Sequence, residues 1–490
     1  MGTIQKNFFY NILYQVLVII LPLITAPYVS RTLGATAVGV YSYTNSVAYY
    51  FLMVGMLGIS NHGNRSVAAA RDDQNKLNYT FSSIFYLQAL TFSLAVVLYA
   101  LYILLYAKNN QIIAVLQLLY VLSGFFDISW LFFGLEKFKL TVTRNIVIKL
   151  CTVLCMFIFV HNPSDLWKYT FLMSAGTLLS QLYLWTYIKK YVKFVRVPIQ
   201  EVFAHLKPVL VLFVPVLAYS IYKVMDKIML GNIASYTDVG YYQNAEKIIN
   251  IPMGIITALG TVMLPRMSNV IANGDNKKTR QYIRVSIKLV TVLCSAIAFG
   301  LMGISEVLAP VYLGEEFSPC APIISLLSVT VFFIAWANVV RTQYLIPNHC
   351  DKIYLISSSM GAIINLIINY MLIPQFQSNG AAIGTIAAEF SVMIIQVVAV
   401  RKSIPVVKYV AGYIPVLISG FFMMCIVKAI GTHLESSIIT LIVQVGIGGL
   451  VFCILLLVFF VISNDELWVM MKRMIGNYLN TKKLKDENKA

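Results

Sequence analysis

Charged side chains are scarce in this sequence. Only 12% of its 490 residues are Asp, Glu, Lys or Arg, whereas 59% are apolar. Soluble globular chains average about a quarter charged residues and about half apolar residues. The composition therefore excludes an ordinary soluble protein, and it also excludes disordered, collagen-like and disulfide-rich chains.

Motifs that carry catalysis or hold cofactors are also missing. The sequence contains no nucleotide-binding loop, no HExxH, no nucleophile elbow and no CxxC pair. Its seven cysteines are scattered through apolar runs, where a cysteine acts as a small packing residue. We therefore expect that the protein is not an enzyme and that it holds no metal ion or cofactor.

Long apolar segments fill most of the chain. A helix needs about 20 apolar residues to cross the core of a bilayer. The sequence offers fourteen such segments, with limits 8–29, 38–60, 80–106, 111–133, 143–160, 165–188, 208–231, 239–264, 283–304, 321–345, 353–373, 380–400, 406–430 and 437–462. The sequence thus predicts an all-α, multi-pass membrane protein with 14 transmembrane helices and almost no soluble part.

The net charge of +17 mostly reports the orientation of these spans, because cytoplasmic connections retain Lys and Arg during insertion. The two termini and the even-numbered connections hold 28 of the 37 Lys and Arg residues, whereas the odd-numbered connections hold 4. Both termini are therefore predicted to be cytoplasmic. The longest connection on the opposite side, at about 305–320, is too short to carry a catalytic domain.

An offset of 201 residues relates two parts of the chain. It aligns three pairs of identical residues: Gly39 with Gly240, Tyr41 with Tyr242, and Arg65 with Arg266. Chance is the alternative, but many secondary transporters consist of two related halves with the substrate between them. We predict six-helix bundles over 1–200 and 201–402, two additional helices over 403–464 and a basic cytoplasmic tail over 465–490.

Ionisable residues at membrane depth are the first candidates for a functional site, because each costs at least ~2.5 kcal/mol on insertion and therefore faces water or a partner. Six lie in the predicted outer half: Arg31, Lys223, Asp226, Lys227, Glu246 and Lys247. Their net charge is positive, which suits an anionic substrate. The alternative is a structural network of ion pairs, with lysines that reach the outer headgroups.

Three further candidate residues lie elsewhere in the spans. Lys149 and Arg341 are near the cytoplasmic boundary, where they either receive an anionic headgroup or extend to the membrane surface. Glu389 lies near the middle of span 12 with no cation within a helical turn, which makes it a candidate for H⁺ or Na⁺ coupling. Its alternative is a protonated carboxyl that is hydrogen-bonded to Asn365 or Asn369.

Several segments resemble a known family. They are Asn11 with 22–51 (PLITAPYVSRTLGATAVGVYSYTNSVAYYF), 58–65 (GISNHGNR), 222–231 (YKVMDKIMLG), 239–248 (VGYYQNAEKI) and 264–268 (LPRMS). Over essentially its whole length the chain is similar to the Wzx-type polysaccharide transporters of the multidrug/oligosaccharidyl-lipid/polysaccharide (MOP) exporter superfamily.

This resemblance implies a V-shaped pair of six-helix bundles in a bacterial plasma membrane. It further implies that the protein moves an undecaprenyl-diphosphate-linked oligosaccharide from the inner to the outer leaflet by alternating access, for capsule or exopolysaccharide biosynthesis. Polysaccharide polymerases and glycosyltransferases are the implied protein partners. Carried onto this chain, the resemblance favours lining or gating residues at Arg31, Asp226, Lys227, Glu246, Lys247 and Arg266.

Two related functions are the alternatives. A cation-coupled multidrug exporter of the same superfamily would need isolated acids in an apolar cavity, which the net positive patch does not favour. A lipid II flippase has arginines within helix 1, whereas span 1 of this chain has no charge between Lys6 and Arg31. A membrane scaffold that transports nothing is a third possibility, and it predicts intramembrane charges that apolar residues can replace.

Overall fold

The structure is a computed structural model that describes residues 3–469 and 472, with side chains described from residue 20 onward apart from those of 219 and 222. Within this part of the chain all regular structure is helical, with no strand. Most of the predicted basic tail over 465–490 lies outside the described residues.

The helices follow one another with short connections. The first eight are α1 Thr3–Met56, α2 Ile59–Ala70, α3 Gln74–Leu105, α4 Gln111–Phe125, α5 Ser129–Gly134, α6 Phe138–Phe159, α7 Leu166–Trp185 and α8 Ile199–Ala204. The next nine are α9 Leu206–Ile233, α10 Tyr236–Ala272, α11 Asn276–Leu308, α12 Cys320–Ser328, α13 Thr330–Val340, α14 Asp351–Val400, α15 Val406–Ala411, α16 Ile414–His433 and α17 Ile438–Ser463.

Ten helical segments of the described chain are long and apolar enough to cross a membrane, judged by length and composition. Two long helices each join a pair of predicted spans across a bend. The bend in α1 is at Gly34, where φ is 78°, and the bend in α14 is at Gln377, where φ is 50°. An all-helical, membrane-spanning fold is confirmed, and the number fourteen stays a prediction.

The chain forms two compact units. The first consists of Met1–Asn244 and Asn369–Ala381, and the second of Ala245–Ile368 and Ala382–Ala490. A short stretch of α14 thus packs with the first unit, while the rest of that helix packs with the second. The division into sequence repeats at 200 and 402 stays a prediction.

An aromatic cluster that is hydrogen-bonded to a buried glutamine fills part of the first unit. The indole of Trp130 is buried beside Phe81 and donates to Oε1 of Gln88 over 3.0 Å. The Gln88 amide nitrogen donates in turn to the carbonyls of Gly124, Phe125 and Asp127, at 2.9, 3.2 and 3.0 Å. The last carbonyl groups of a helix have no hydrogen-bond partner within it. The buried amide of Gln88 supplies these hydrogen bonds at the end of α4, where water does not reach.

Helices α1 and α10 cross at a close, reciprocal contact inside the first unit. A methyl group added at Gly39 would overlap the carbonyl oxygen of Tyr236, and one added at Gly240 would overlap that of Ala35. The Oγ1 atoms of Thr36 and Thr237 share a hydrogen bond of 2.8 Å. The contact is symmetric about the offset of 201, because each glycine meets the residue four positions before the other, and the sequence repeat itself stays a prediction.

In the second unit, a polar cluster fastens the start of α11 to the residues after α17. Lys288 Nζ lies 2.7 Å from Oδ2 of Asp465, and the hydroxyl of Tyr413 donates to Oδ1 over 2.6 Å. Burial acts to raise the pKa of Asp465, but the bonds from Lys288 and Tyr413 outweigh it and hold that pKa below its usual range. The start of α16 and the residues after α17 are thereby tied to α11.

The crossing of α1 and α10 leads to a stability prediction. Gly39→Ala and Gly240→Ala place a methyl group against backbone that cannot rotate away, so each should lower the free energy of unfolding by about 1–3 kcal/mol. Gly446→Ala is the matched control, because open space surrounds that glycine on α17. Thermal unfolding of purified variants measures the effect, and equal stability of all three variants would contradict the close contact.

Candidate functional site

Asp226 is the best-defined of the predicted site residues. It lies on α9 in the first unit and is only 2% exposed. The hydroxyl of Tyr242 donates to its Oδ2 over 2.7 Å, and the Nδ2 of Asn369 donates to its Oδ1 over 2.6 Å. Because an unpartnered charge at such a depth is very costly, these donors explain how the carboxylate is accommodated between α9, α10 and α14.

Two tyrosines and an asparagine thus gather around one acid. Tyr50 of α1 lies near the same part of α9, with its hydroxyl 3.1 Å from the carbonyl oxygen of Ser220. The amide of Asn369 reaches Asp226 in the structure, and the pairing of Glu389 with Asn365 or Asn369 stays a prediction. The sequence spacing alone placed Lys223, Asp226 and Lys227 on one face, and it could not show which distant polar residues join them.

Lys223 and Lys227 are half-buried on either side of Asp226 along α9. Both take part in polar interactions of their own. They supply two positive charges to the first unit next to a single buried carboxylate. Arg31, three residues before the bend of α1 at Gly34, is exposed in the same unit.

Glu246 and Lys247 follow on α10, in the second unit, and both are half-buried. Arg266, further along α10, is exposed and donates to the hydroxyl of Tyr282 over 2.7 Å, with its guanidinium 4.5 Å from the centre of that ring. The structure therefore places Arg266 in a stacked pair with α11. Whether it gates a transport path stays a prediction.

Arg341 and Lys149 are both half-buried. Arg341 opens a single π-helical turn over Arg341–Leu345, and its guanidinium lies 5.5 Å from the ring of Tyr354. Lys149 lies on α6 and makes no ion pair with any residue that the structure describes. Lys149 belongs to the first unit and Arg341 to the second.

Glu389, the candidate for ion coupling, is buried in the second unit with 4% of its surface exposed. The two segments of α14 pack closely near it. Gly361 leaves room for the side chain of Val392, and the amide of Gln396 donates to Oγ of Ser357 over 3.0 Å. Glu389 is therefore held inside protein rather than at the lipid surface.

Arg144 is a residue whose position the sequence did not predict. It lies inside α6 and is only 5% exposed. Its guanidinium donates to Gln181 over 2.9 Å and to Asn145 over 2.9 Å. A buried, hydrogen-bonded arginine next to polar amides is part of the interior of the first unit.

A histidine pair is the second feature that the sequence did not reveal. Nε2 of His62, on α2, lies 2.8 Å from Nδ1 of His205, and Nε2 of His205 lies 2.9 Å from Oγ of Ser83 on α3. This short contact requires at least one neutral ring whose unprotonated nitrogen accepts the hydrogen bond. The residues are 143 positions apart, and no spacing rule connects them.

Comparison with known proteins identifies the family. The family of polysaccharide biosynthesis proteins matches residues 4–271, more than half of the chain. The chain belongs to this family. A candidate O-antigen transporter of Escherichia coli (strain K12) is 23% identical over 406 residues, which cover 82% of this chain and 97% of the relative. The resemblance seen in the sequence motifs is confirmed.

Solved structures show the fold of this polysaccharide biosynthesis protein. A lipid II flippase, MurJ, in an inward closed conformation has a TM-score of 0.73 at 15% identity, over 94% of this chain and all of that one. An inward-facing multidrug resistance transporter of the MATE family, also in the MOP superfamily, has a TM-score of 0.58 at 12% identity, over 79% of this chain and 98% of that one. The fold is thus that of MOP transporters.

The surroundings of Asp226 give a test of a functional role. Tyr242→Phe removes one donor to the buried carboxylate while the ring keeps its volume, so it should lower transport severalfold. Tyr28→Phe is the matched control, because it removes a similar bond, from Tyr28 to the carbonyl of Val160 over 2.6 Å. If both variants lose the same small amount of thermal stability and the same amount of transport, the Asp226 cluster is purely structural.

The histidine pair leads to a prediction of pH dependence. Burial, then the nearby His205 and Arg65, lower the pKa of His62 from its usual value near 6.5. Neutral His62 therefore contributes stability that is fully present above the unfolded pKa and is lost as the pH falls through the lower pKa of the folded state. In His62→Gln the decline of the unfolding temperature between about pH 7 and pH 5 should become smaller.

His433→Gln is the control for this measurement, since His433 is exposed on α16. It should leave the pH dependence of the unfolding temperature as in the unaltered protein. An identical slope in the His62 variant would show that the pair does not titrate in this range.

Proposed function

We propose that this protein translocates a lipid-linked oligosaccharide from the inner to the outer leaflet of a bacterial plasma membrane. The observation that carries the proposal is membership in the polysaccharide biosynthesis family, with a candidate O-antigen transporter aligned over nearly its full length. The transporter fold supports the same activity. A shared fold does not determine the cargo, so the proposal depends on the family and on the charges of the chain.

The proposed cargo is an undecaprenyl-diphosphate-linked repeat unit for capsule or exopolysaccharide biosynthesis. Its diphosphate would be neutralised by lysines such as Lys223, Lys227 and Lys247, while tyrosine and asparagine side chains would bind the sugars. The lipid tail would remain in the bilayer. Polymerases and glycosyltransferases of the same pathway are the proposed partners.

The proposed mechanism is alternating access between two six-helix bundles of a fourteen-helix protein, with both termini cytoplasmic. Coupling to H⁺ or Na⁺ is proposed through the buried carboxyl of Glu389, which is 4% exposed. A charge that changes its protonation or ion partner at this depth alters the cost of burial by several kcal/mol. Such a difference is large enough to favour one conformation over another.

Deletion of the gene in its native host tests the activity. Surface polymer should be lost, and lipid-linked repeat units should accumulate in the inner leaflet. Normal polymer export would contradict the proposal. Greater susceptibility to cationic drugs, with polymer unchanged, would instead indicate a multidrug exporter, and arrested peptidoglycan synthesis would indicate a lipid II flippase.

Complementation of that deletion with variants tests the charges. Lys227→Ala and Lys247→Ala should each reduce polymer export about tenfold, because each removes a cation that would face the diphosphate. Lys227→Arg and Lys247→Arg keep the charge and should retain most of the export. Lys108→Ala is the control, since Lys108 is exposed in a connection. Full export by both alanine variants would assign these lysines a purely structural role.

A further inference from the structure

The second unit contains a cavity that none of the predicted site residues lines. Its volume is about 900 Å³, and its polar lining includes Lys277, Arg280 and Arg284 from the start of α11, with Tyr344, Ser403 and Tyr409. These residues come from three separate segments: the first turns of α11, the π-helical turn after α13, and the connection from α14 into α15. The cavity lies within one unit and is not part of the region around Asp226.

The charge of this cavity is positive and only partly compensated. Lys277 and Arg280 are exposed, and neither makes an ion pair with any residue in the described part of the chain. Arg284 pairs with Glu466 over 2.9 Å, while its Nε is buried without an acceptor among the described residues. At least two cations on this face, Lys277 and Arg280, are therefore available to an anionic ligand.

Neighbouring residues strengthen the positive field. The connection that contributes Ser403 to the cavity also carries exposed Arg401 and Lys402, and exposed Lys408 lies on α15. The nearby acid Asp275 is occupied by Lys278, at 2.9 Å. That pairing and the Lys278 backbone N–H hold the pKa of Asp275 below its usual range, so the acid stays charged and engaged with its own lysine.

The lining suits one class of ligand. Guanidinium groups present paired N–H donors that match phosphate oxygens. Hydroxyl groups of Ser403, Tyr344 and Tyr409 add donors for the same oxygens or for the polyol part of a headgroup. A volume of about 900 Å³ exceeds what a single phosphate needs and lies within the range of sites that enclose a small molecule.

The position of the cavity indicates where such a ligand comes from. All three contributing segments are ends of long apolar helices or connections between them, in the parts of the sequence that hold most of the Lys and Arg residues. Basic pockets between helices on that side of a membrane bind anionic lipid headgroups. We propose that this cavity binds a phosphate-bearing lipid headgroup from the adjoining leaflet.

The test uses the full chain, purified and reconstituted in nanodiscs, and it does not depend on transport. Lys277→Ala with Arg280→Ala removes the two unpaired cations. Lys189→Ala with Lys190→Ala is the matched control, since it removes two exposed charges from the first unit. Native mass spectrometry counts retained phosphatidylglycerol, and calorimetry in phosphatidylcholine nanodiscs measures binding of inorganic diphosphate.

Removing two positive charges near a membrane surface should lower the affinity for an anionic headgroup about tenfold or more. We expect this loss of phosphatidylglycerol retention in the cavity variant and unchanged retention in the control. Binding of inorganic diphosphate that the cavity variant loses, without preference for phosphatidylglycerol, would confirm a phosphate site but identify a soluble ligand. Equal behaviour of the two double variants with both probes would overturn the proposal. Because polymer export is not measured, this result is independent of the proposed function.

Discussion

The cost of placing charge inside apolar helices is the constraint on which the rest of this structure depends. The chain has few charged residues, and the most deeply buried of those with known contacts are engaged by polar side chains. Asp226 is bound by Tyr242 and Asn369, and Arg144 by Gln181 and Asn145. A transporter of an anionic lipid needs such groups in its interior, because a wholly apolar protein would offer nothing in exchange for the water that a diphosphate loses.

The contact between α1 and α10 connects the need for polar groups in the interior with the predicted sequence repeat. Gly39 and Gly240 allow two backbones to approach closely, and each lies against the carbonyl oxygen of the residue four positions before the other. Small residues commonly enable helices to pack in membranes, where apolar burial provides little drive for association. The crossing brings α10 next to α9, and so places Tyr242 where its hydroxyl reaches Asp226.

Much of the fold could be predicted from the sequence, since apolar segments of about 20 residues mark spans directly. The family could be recognised from its motifs, and the offset of 201 matches residues that lie at the crossing of α1 and α10, although it did not predict that crossing. Two pairs of spans that hydropathy separates are each joined in one long helix, with a bend at Gly34 in α1 and at Gln377 in α14. The partners of Asp226, the burial of Arg144 and the His62–His205 contact could not be predicted, because each depends on residues from distant segments with no fixed spacing.

The central claim is that this chain moves a lipid-linked oligosaccharide across a bilayer. Vesicles that contain the purified chain and an undecaprenyl-diphosphate oligosaccharide test it most directly, with a membrane-impermeant glycosidase that acts on the outer leaflet. After the outer pool is digested, the account predicts that protein-containing vesicles continue to expose substrate, while protein-free vesicles and vesicles with Lys227→Ala expose far less. Equal exposure with and without the protein would contradict the account.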